Sequence, residues 1–180
     1  SAASDVYKRQ ILDPYDVYRM TTGMGKSMQE LLAASVELNV VDGVILPNLK
    51  MQGAEEACAY LDGEGRCSIH TYRPGICRLF PLGRYYENGG FSYFLQTGEC
   101  AKENRSKIKV SKWIDTPDLT RNQQFTLQWH DLLHAMEERL TGEDEGKQRE
   151  ENLLLLRLSY LLPYEGTIDF YTQFTERMEH

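Results

Sequence analysis

No stretch of the 180 residues approaches the roughly 20 consecutive apolar residues that a membrane-crossing helix needs. The aliphatic run Leu153 to Leu156 is far too short, so no membrane role is expected. A charged-then-apolar secretory pattern is also missing from the first residues. Without one, the sequon-like Asn104-Arg105-Ser106 reads as chance, and a reducing cytoplasm is the expected location. Basic residues are scarce. Twenty Lys and Arg stand against 27 Asp and Glu, a formal net charge of −7, which argues against a nucleic-acid-binding face. Gly-rich phosphate loops and a G-x-S-x-G elbow are absent, which removes the signatures of P-loop nucleotide hydrolysis and of serine hydrolases. No internal repeat or low-complexity tract points to a solenoid or a disordered chain. Cysteines number four, and none forms the tight C-x2-C pair that makes a zinc knuckle or ferredoxin reading strong.

What is present is an ordinary globular composition, 41% apolar and 26% charged, long enough to bury a core without disulfides or metals. The cysteines are therefore not needed to hold a miniature fold together. Three of them, Cys58, Cys67 and Cys77, lie in one stretch ending at Phe80, and Cys100 follows. From Arg66 to Tyr86 there is no carboxylate, yet there are four arginines, Arg66, Arg73, Arg78 and Arg84. Such a local excess of cations is expected to lower thiolate pKa values and to balance a thiolate-bound metal.

Taken in order, residues 1–10 (S-A-A-S-D-V-Y-K-R-Q) look foreign to the rest and are set aside as an artefactual tail. Asp13-Pro14 opens a helix that the sequence stops at Gly23, and Ser27-Met28-Gln29-Glu30 is a capping box opening a second. Val36 to Val41 and Val44 to Met51 are β-rich and flank Asp42-Gly43, a hairpin signal. Asp62-Gly63-Glu64-Gly65 is turn chemistry between Cys58 and a short strand at Cys67-Ser68-Ile69. Arg73-Pro74-Gly75 makes an extended residue and a turn, Ile76 to Leu79 one helical turn. Tyr85-Tyr86 and Phe91 to Gln96 form a second hairpin around Glu87-Asn88-Gly89-Gly90. Beyond Cys100 the pattern is helical. Phe125, Trp129, Leu132, Leu133, Met136 and Leu140 share a face. A solvated loop is expected from Gly142 to Glu151, then helices over Asn152 to Leu162 and Gly166 to Met178. The fold class is α+β: small antiparallel hairpins and loops carrying a cysteine cluster, packed against N-terminal and C-terminal helices. Residues 11–115 form the cysteine-bearing domain, and 116–180 a helical extension on it.

Four thiols within 43 residues, spaced C-x8-C-x9-C-x22-C, could close a tetrahedral zinc site or hold an iron–sulfur cluster. Inert buried cysteines and two disulfides are the alternatives. His130 and His134, at i and i+4, have the spacing of paired zinc-binding histidines, but Asp131 stands where H-E-x-x-H needs Glu, so a solvated or hydrogen-bonded pair is the expectation.

The segment L-D-G-E-G-R-C-S-I-H-T-Y-R-P-G-I-C-R-L-F-P-L resembles the signature of the YkgJ-type cysteine-cluster family, described as a zinc- or iron-chelating domain. The resemblance is carried by Cys67-Ser68-Ile69, Arg73-Pro74 and Cys77-Arg78-Leu79-Phe80-Pro81, with Asp13 to Met20 similar to the family's first helix. It implies a bacterial metal-binding protein in which Cys58, Cys67, Cys77 and Cys100 are ligands to iron, as an iron–sulfur cluster, or to zinc. A C-x2-C-x2-C-C-like group is expected just before Asp13 and does not occur, so the chain reads as an N-terminally truncated member. His70 stands where the family commonly has tyrosine and is a minor ligand candidate. Arg73 and Arg78 either bond backbone carbonyls and nearby carboxylates or donate to the sulfurs; Pro74 fixes the loop around the site. Two other functions stay open: a metal-dependent methyltransferase-like enzyme, since the flagellin lysine methylase group looks to share this domain, and a zinc-stabilised interaction module without catalysis. The implied partner is an unidentified protein or redox partner.

Overall fold

The computed structural model describes residues 10–98 and 106–179. Helix α1 spans Pro14–Met24 and starts as its sequence dictates. The Asp13 carboxylate accepts from the Asp16 N–H at 2.8 Å, the Asp16 carboxylate accepts from the Asp13 N–H at 3.0 Å, and Pro14 needs no donor there. The helix runs through Gly23 and is closed by Gly25 at φ 63°, where a residue without Cβ enters the left-handed region freely. Gly23 is instead a contact point. A Cβ placed on it would lie 2.3 Å from the Tyr72 ring. Ser27 and Glu30 form the second capping box, which opens α2, Met28–Ala34.

Strands β1 (Val36–Val41) and β2 (Val44–Leu49) pair antiparallel in the register Val41 opposite Val44 to Val36 opposite Leu49. Asp42 at φ 50° and Gly43 at φ 82° make the two-residue turn expected of Asp-Gly. β2 is the buried strand. It carries Val44, Leu46 and Leu49 into the core, and its free side takes the chain entering α1: Ile11 bridges to Asn48, and the Leu12 N–H donates to the Pro47 carbonyl at 2.9 Å. Two further hairpins follow. β3 (Met51–Gln52) pairs with β4 (Ala57–Cys58), and β5 (Leu82–Glu87) with β6 (Gly90–Leu95) across Asn88 (φ 51°) and Gly89 (φ 71°). A 3-10 turn, His70–Tyr72, and helix α3, Gly75–Leu79, lie between them.

The remaining elements are helical: α4 (Val110–Ile114), α5 (Leu119–Leu140), α6 (Glu145–Leu156) continuing into a π turn (Arg157–Leu161), and α7 (Phe170–Met178). The architecture is α+β, with two-stranded antiparallel hairpins and seven helices among the described residues. Three sequence expectations are corrected. The stretch from Gly142 to Glu151 is mostly helix, because Asp144 caps it by accepting from the Lys147 N–H and its charged residues face solvent. α7 begins at Phe170 and not at Gly166, because Asp169 is the residue whose side chain accepts from the Thr172 N–H. Cys67-Ser68-Ile69 is not a strand; only Cys67 makes a single bridge, to Leu61.

The core is one cluster that draws on both ends of the chain. Tyr15 of α1 packs edge-on to Phe170 at 5.2 Å and stacks on Tyr171 at 5.8 Å, while Phe125 sits edge-on to Phe170 and Phe174. The buried Tyr160 hydroxyl donates to the Leu12 carbonyl at 2.9 Å, joining the last helical block to the first turn. No helix among the described residues is long and apolar enough to cross a membrane.

Candidate metal centre

The thiol-bearing segment is shaped by local hydrogen bonds. Cys58 ends β4 opposite Met51, and the Leu61 N–H donates back to its carbonyl at 3.0 Å. Asp62 then folds the loop on itself: its Oδ1 accepts from the N–H groups of Glu64 and Arg66, both at 2.9 Å, the turn chemistry expected of that stretch. The return leg puts Cys67 opposite Leu61, with the Ser68 N–H donating to the Tyr60 carbonyl at 2.8 Å. Extended backbone at Arg73 and the buried Pro74 leads into α3, where the Pro74 carbonyl accepts from the Cys77 N–H at 3.0 Å. Cys58, Cys67 and Cys77 are all free thiols, each partly buried, which removes disulfides among these three. Cys100 lies outside the described residues.

The Cys58 and Cys77 thiols lie within reach of neighbouring thiol charges. Burial raises the Cys58 pKa, a Cys67 charge adds to the rise, and the Tyr60 N–H offsets part of it. Cys77 is pushed up to about 12, by burial first, then by the Asp16 carboxylate and the charges of Cys58 and Cys67; Arg73 is the opposing influence. The expectation that the arginines depress these thiols is therefore corrected. At Cys77 burial and the Asp16 carboxylate outweigh Arg73, and at Cys58 burial raises the thiol with no arginine among the influences. The arginines are also dispersed: Arg66 pairs with Glu64 and, at 3.6 Å, with Asp62 on the surface, and Arg84 lies 5.4 Å over the Phe91 ring. Arg78 is buried and donates from Nη1 to the Arg73 carbonyl at 2.7 Å. Among the described residues neither Arg73 nor Arg78 donates to a cysteine sulfur.

Asp16 is the residue that sequence reasoning undervalued. Read as a helix-start residue, it also accepts from the Gly75 N–H at 2.7 Å and so ties the first turn of α1 to the first turn of α3, beside Cys77 and Arg78. Nothing in the sequence marks a contact 59 positions apart. His70 is exposed on the 3-10 turn. His130 and His134 lie 5.1 Å apart edge to face, and His130 stacks on Tyr86 at 3.7 Å, a packing role.

The donor chemistry of this cluster suits a soft or borderline metal, since thiolates bind zinc and iron–sulfur clusters well. The arrangement falls short of a complete site: among the described residues no group of three or more His, Cys, Asp or Glu side chains stands ready to hold an ion. A family model decides the lineage. The CxxCxxCC family, whose description is "Putative zinc- or iron-chelating domain", matches residues 11–100. The chain belongs to the CxxCxxCC family. The match ends on Cys100 and spans all four cysteines, although the run that gives the CxxCxxCC family its name does not occur in these 180 residues. No curated protein matches the chain, and no solved structure does.

Proposed function

We propose that this CxxCxxCC domain chelates a transition metal through Cys58, Cys67, Cys77 and Cys100, as an iron–sulfur centre or a single zinc ion, in a reducing, cytoplasmic setting. The observation that carries the reading is the family match over residues 11–100, a zinc- or iron-chelating domain by its description, which takes in the free, partly buried thiols of Cys58, Cys67 and Cys77. When bound, such a centre supplies either electron transfer or Lewis acidity. The chain's own contribution is positional. Asp62 closes the loop that returns Cys67 to Cys58, Pro74 sets the entry to α3, and Asp16 pins that helix against α1.

The test is metal and acid-labile sulfide per chain after anaerobic purification of the 180-residue chain. Iron with sulfide would establish a cluster, and zinc without sulfide a mononuclear site. Cys67→Ser and Cys77→Ser should each lower the stoichiometry by at least half. No metal in the parent chain, or unchanged content in both variants, would overturn the assignment.

A further inference from the structure

The connection between Cys67 and Cys77 also helps build a second feature. Arg19 of α1, His70 and Thr71 of the 3-10 turn, Arg73 and Arg78 of the connection and of α3, and Ser111 of α4 surround a cleft of about 400 Å³, completed by Asp115, Thr116 and Pro117. Three guanidinium groups face one carboxylate, Asp115, in a chain whose net charge is −7. None of the three arginines has a carboxylate oxygen within ion-pairing distance among the described residues, although the Asp16 charge acts on Arg78 from the interior.

Their hydrogen-bonding capacity is only partly used. Arg19 donates from Nη2 to the Thr71 carbonyl at 2.8 Å, yet its Nη1 is cut off from water without an acceptor. Arg78, 5% exposed, donates from Nη1 to the Arg73 carbonyl, yet its Nε–H is likewise buried and unpartnered. A buried N–H of a cation left without an acceptor is costly, and two such donors on arginines lining one cleft call for an anionic acceptor. Planar guanidinium forks match the several oxygens of a phosphate group better than a single carboxylate, and the three guanidiniums exceed Asp115 and the interior Asp16 by one positive charge.

We propose that this cleft is a binding site for a phosphate group, free or carried on a small monoester, held by Arg19, Arg73 and Arg78 with Ser111 in its lining. The site stands on the cleft and its unpartnered donors, and it does not depend on metal at the cysteines.

The experiment is calorimetric titration of the 180-residue chain with inorganic phosphate and with glycerol phosphate, against acetate at matched ionic strength. One equivalent of either phosphate should bind, with acetate silent; a tighter monoester would identify a carried group, and tighter inorganic phosphate a free one. Because Arg78 is buried, its replacement could unfold the chain, so Arg19→Gln and Arg73→Gln are the primary variants. Each should weaken phosphate roughly tenfold or more. Ser111→Glu, at an exposed position, should abolish binding with an unchanged circular dichroism spectrum. No phosphate binding by the parent chain, acetate binding as tight as phosphate, or undiminished affinity in Arg19→Gln and Ser111→Glu would each overturn the site.

Discussion

Asp13 and Asp16 are two carboxylates in one capping box, and both cannot be charged cheaply in a site shielded from water. Asp16 accepts two backbone N–H groups, from Asp13 and Gly75, and faces Arg78, so it is the member that keeps the charge. Asp13 accepts one, and burial, then the Asp16 charge, raise its pKa to about 8 against an ordinary value of 3.8. Between those values the folded chain holds a proton that the unfolded chain has lost. This group's contribution is therefore fully present below about pH 4, declines as pH rises, and is gone above about pH 8. Asp13→Asn keeps an oxygen acceptor for the Asp16 N–H while removing the titration. The urea midpoint of the parent chain should fall between about pH 5 and pH 8.5, and that of Asp13→Asn should fall less. Equal slopes would show that Asp13 is not the proton holder.

Two contacts at the scale of elements show how the thiol-bearing segment is held. α1 meets the 3-10 turn at Gly23, where a Cβ would lie 2.3 Å from the Tyr72 ring, so Gly23→Ala must displace that ring. A loss of about 1–3 kcal/mol in urea unfolding is expected, the usual cost of overpacking. α6 meets the first hairpin through Asn152. Its Oδ1 accepts from the Ile45 N–H at 2.8 Å, and its Nδ2 donates to the Gly43 carbonyl at 3.0 Å. Asn152→Ala leaves both backbone groups unpaired where the chain is partly buried, and should cost about 1–3 kcal/mol by the same assay. These contacts also mark what the sequence could reveal. Asp13-Pro14, the Ser27–Glu30 box, Asp42-Gly43 and Asn88-Gly89 announce their elements because the determinants are neighbours in the chain. The start of α6 was hidden by its charge: a helix whose first turns are solvated on nearly every side has no apolar period to read. Within the site, the turn at Asp62 was legible from its residues. The Asp16–Gly75 tie, the meeting of Gly23 with Tyr72, and the cleft between Arg19 and Arg78 were not, since each joins residues more than 45 positions apart.

For the whole molecule, the decisive fact is that the core does not divide where the chemistry does. The cysteines lie before residue 115, yet Phe125, Trp129, Met136, Leu140, Leu155, Leu156, Tyr160, Phe170 and Phe174 belong to the cluster that buries Leu12, Tyr15, Val17 and Met20. Burying side chains of this kind stabilises by about 1.5–3 kcal/mol each. Nine of them together match or exceed the roughly 5–15 kcal/mol by which a domain is more stable than its unfolded state. A chain ending at residue 115 would expose the inner faces of α1 and β2 and lose the Tyr160 bond to Leu12. It should therefore show no cooperative thermal transition, while the full chain unfolds in one step followed identically by far-ultraviolet and aromatic circular dichroism. Because α1 carries Asp16, and Asp16 holds α3 with Cys77, loosening α1 should also loosen the thiols. Alkylation at neutral pH should then be much faster at Cys77 in the fragment than in the full chain. A fragment with a sharp transition and a protected Cys77 would show instead that the helical block is a separable cover, and that the thiol segment folds on the strength of its own loop contacts.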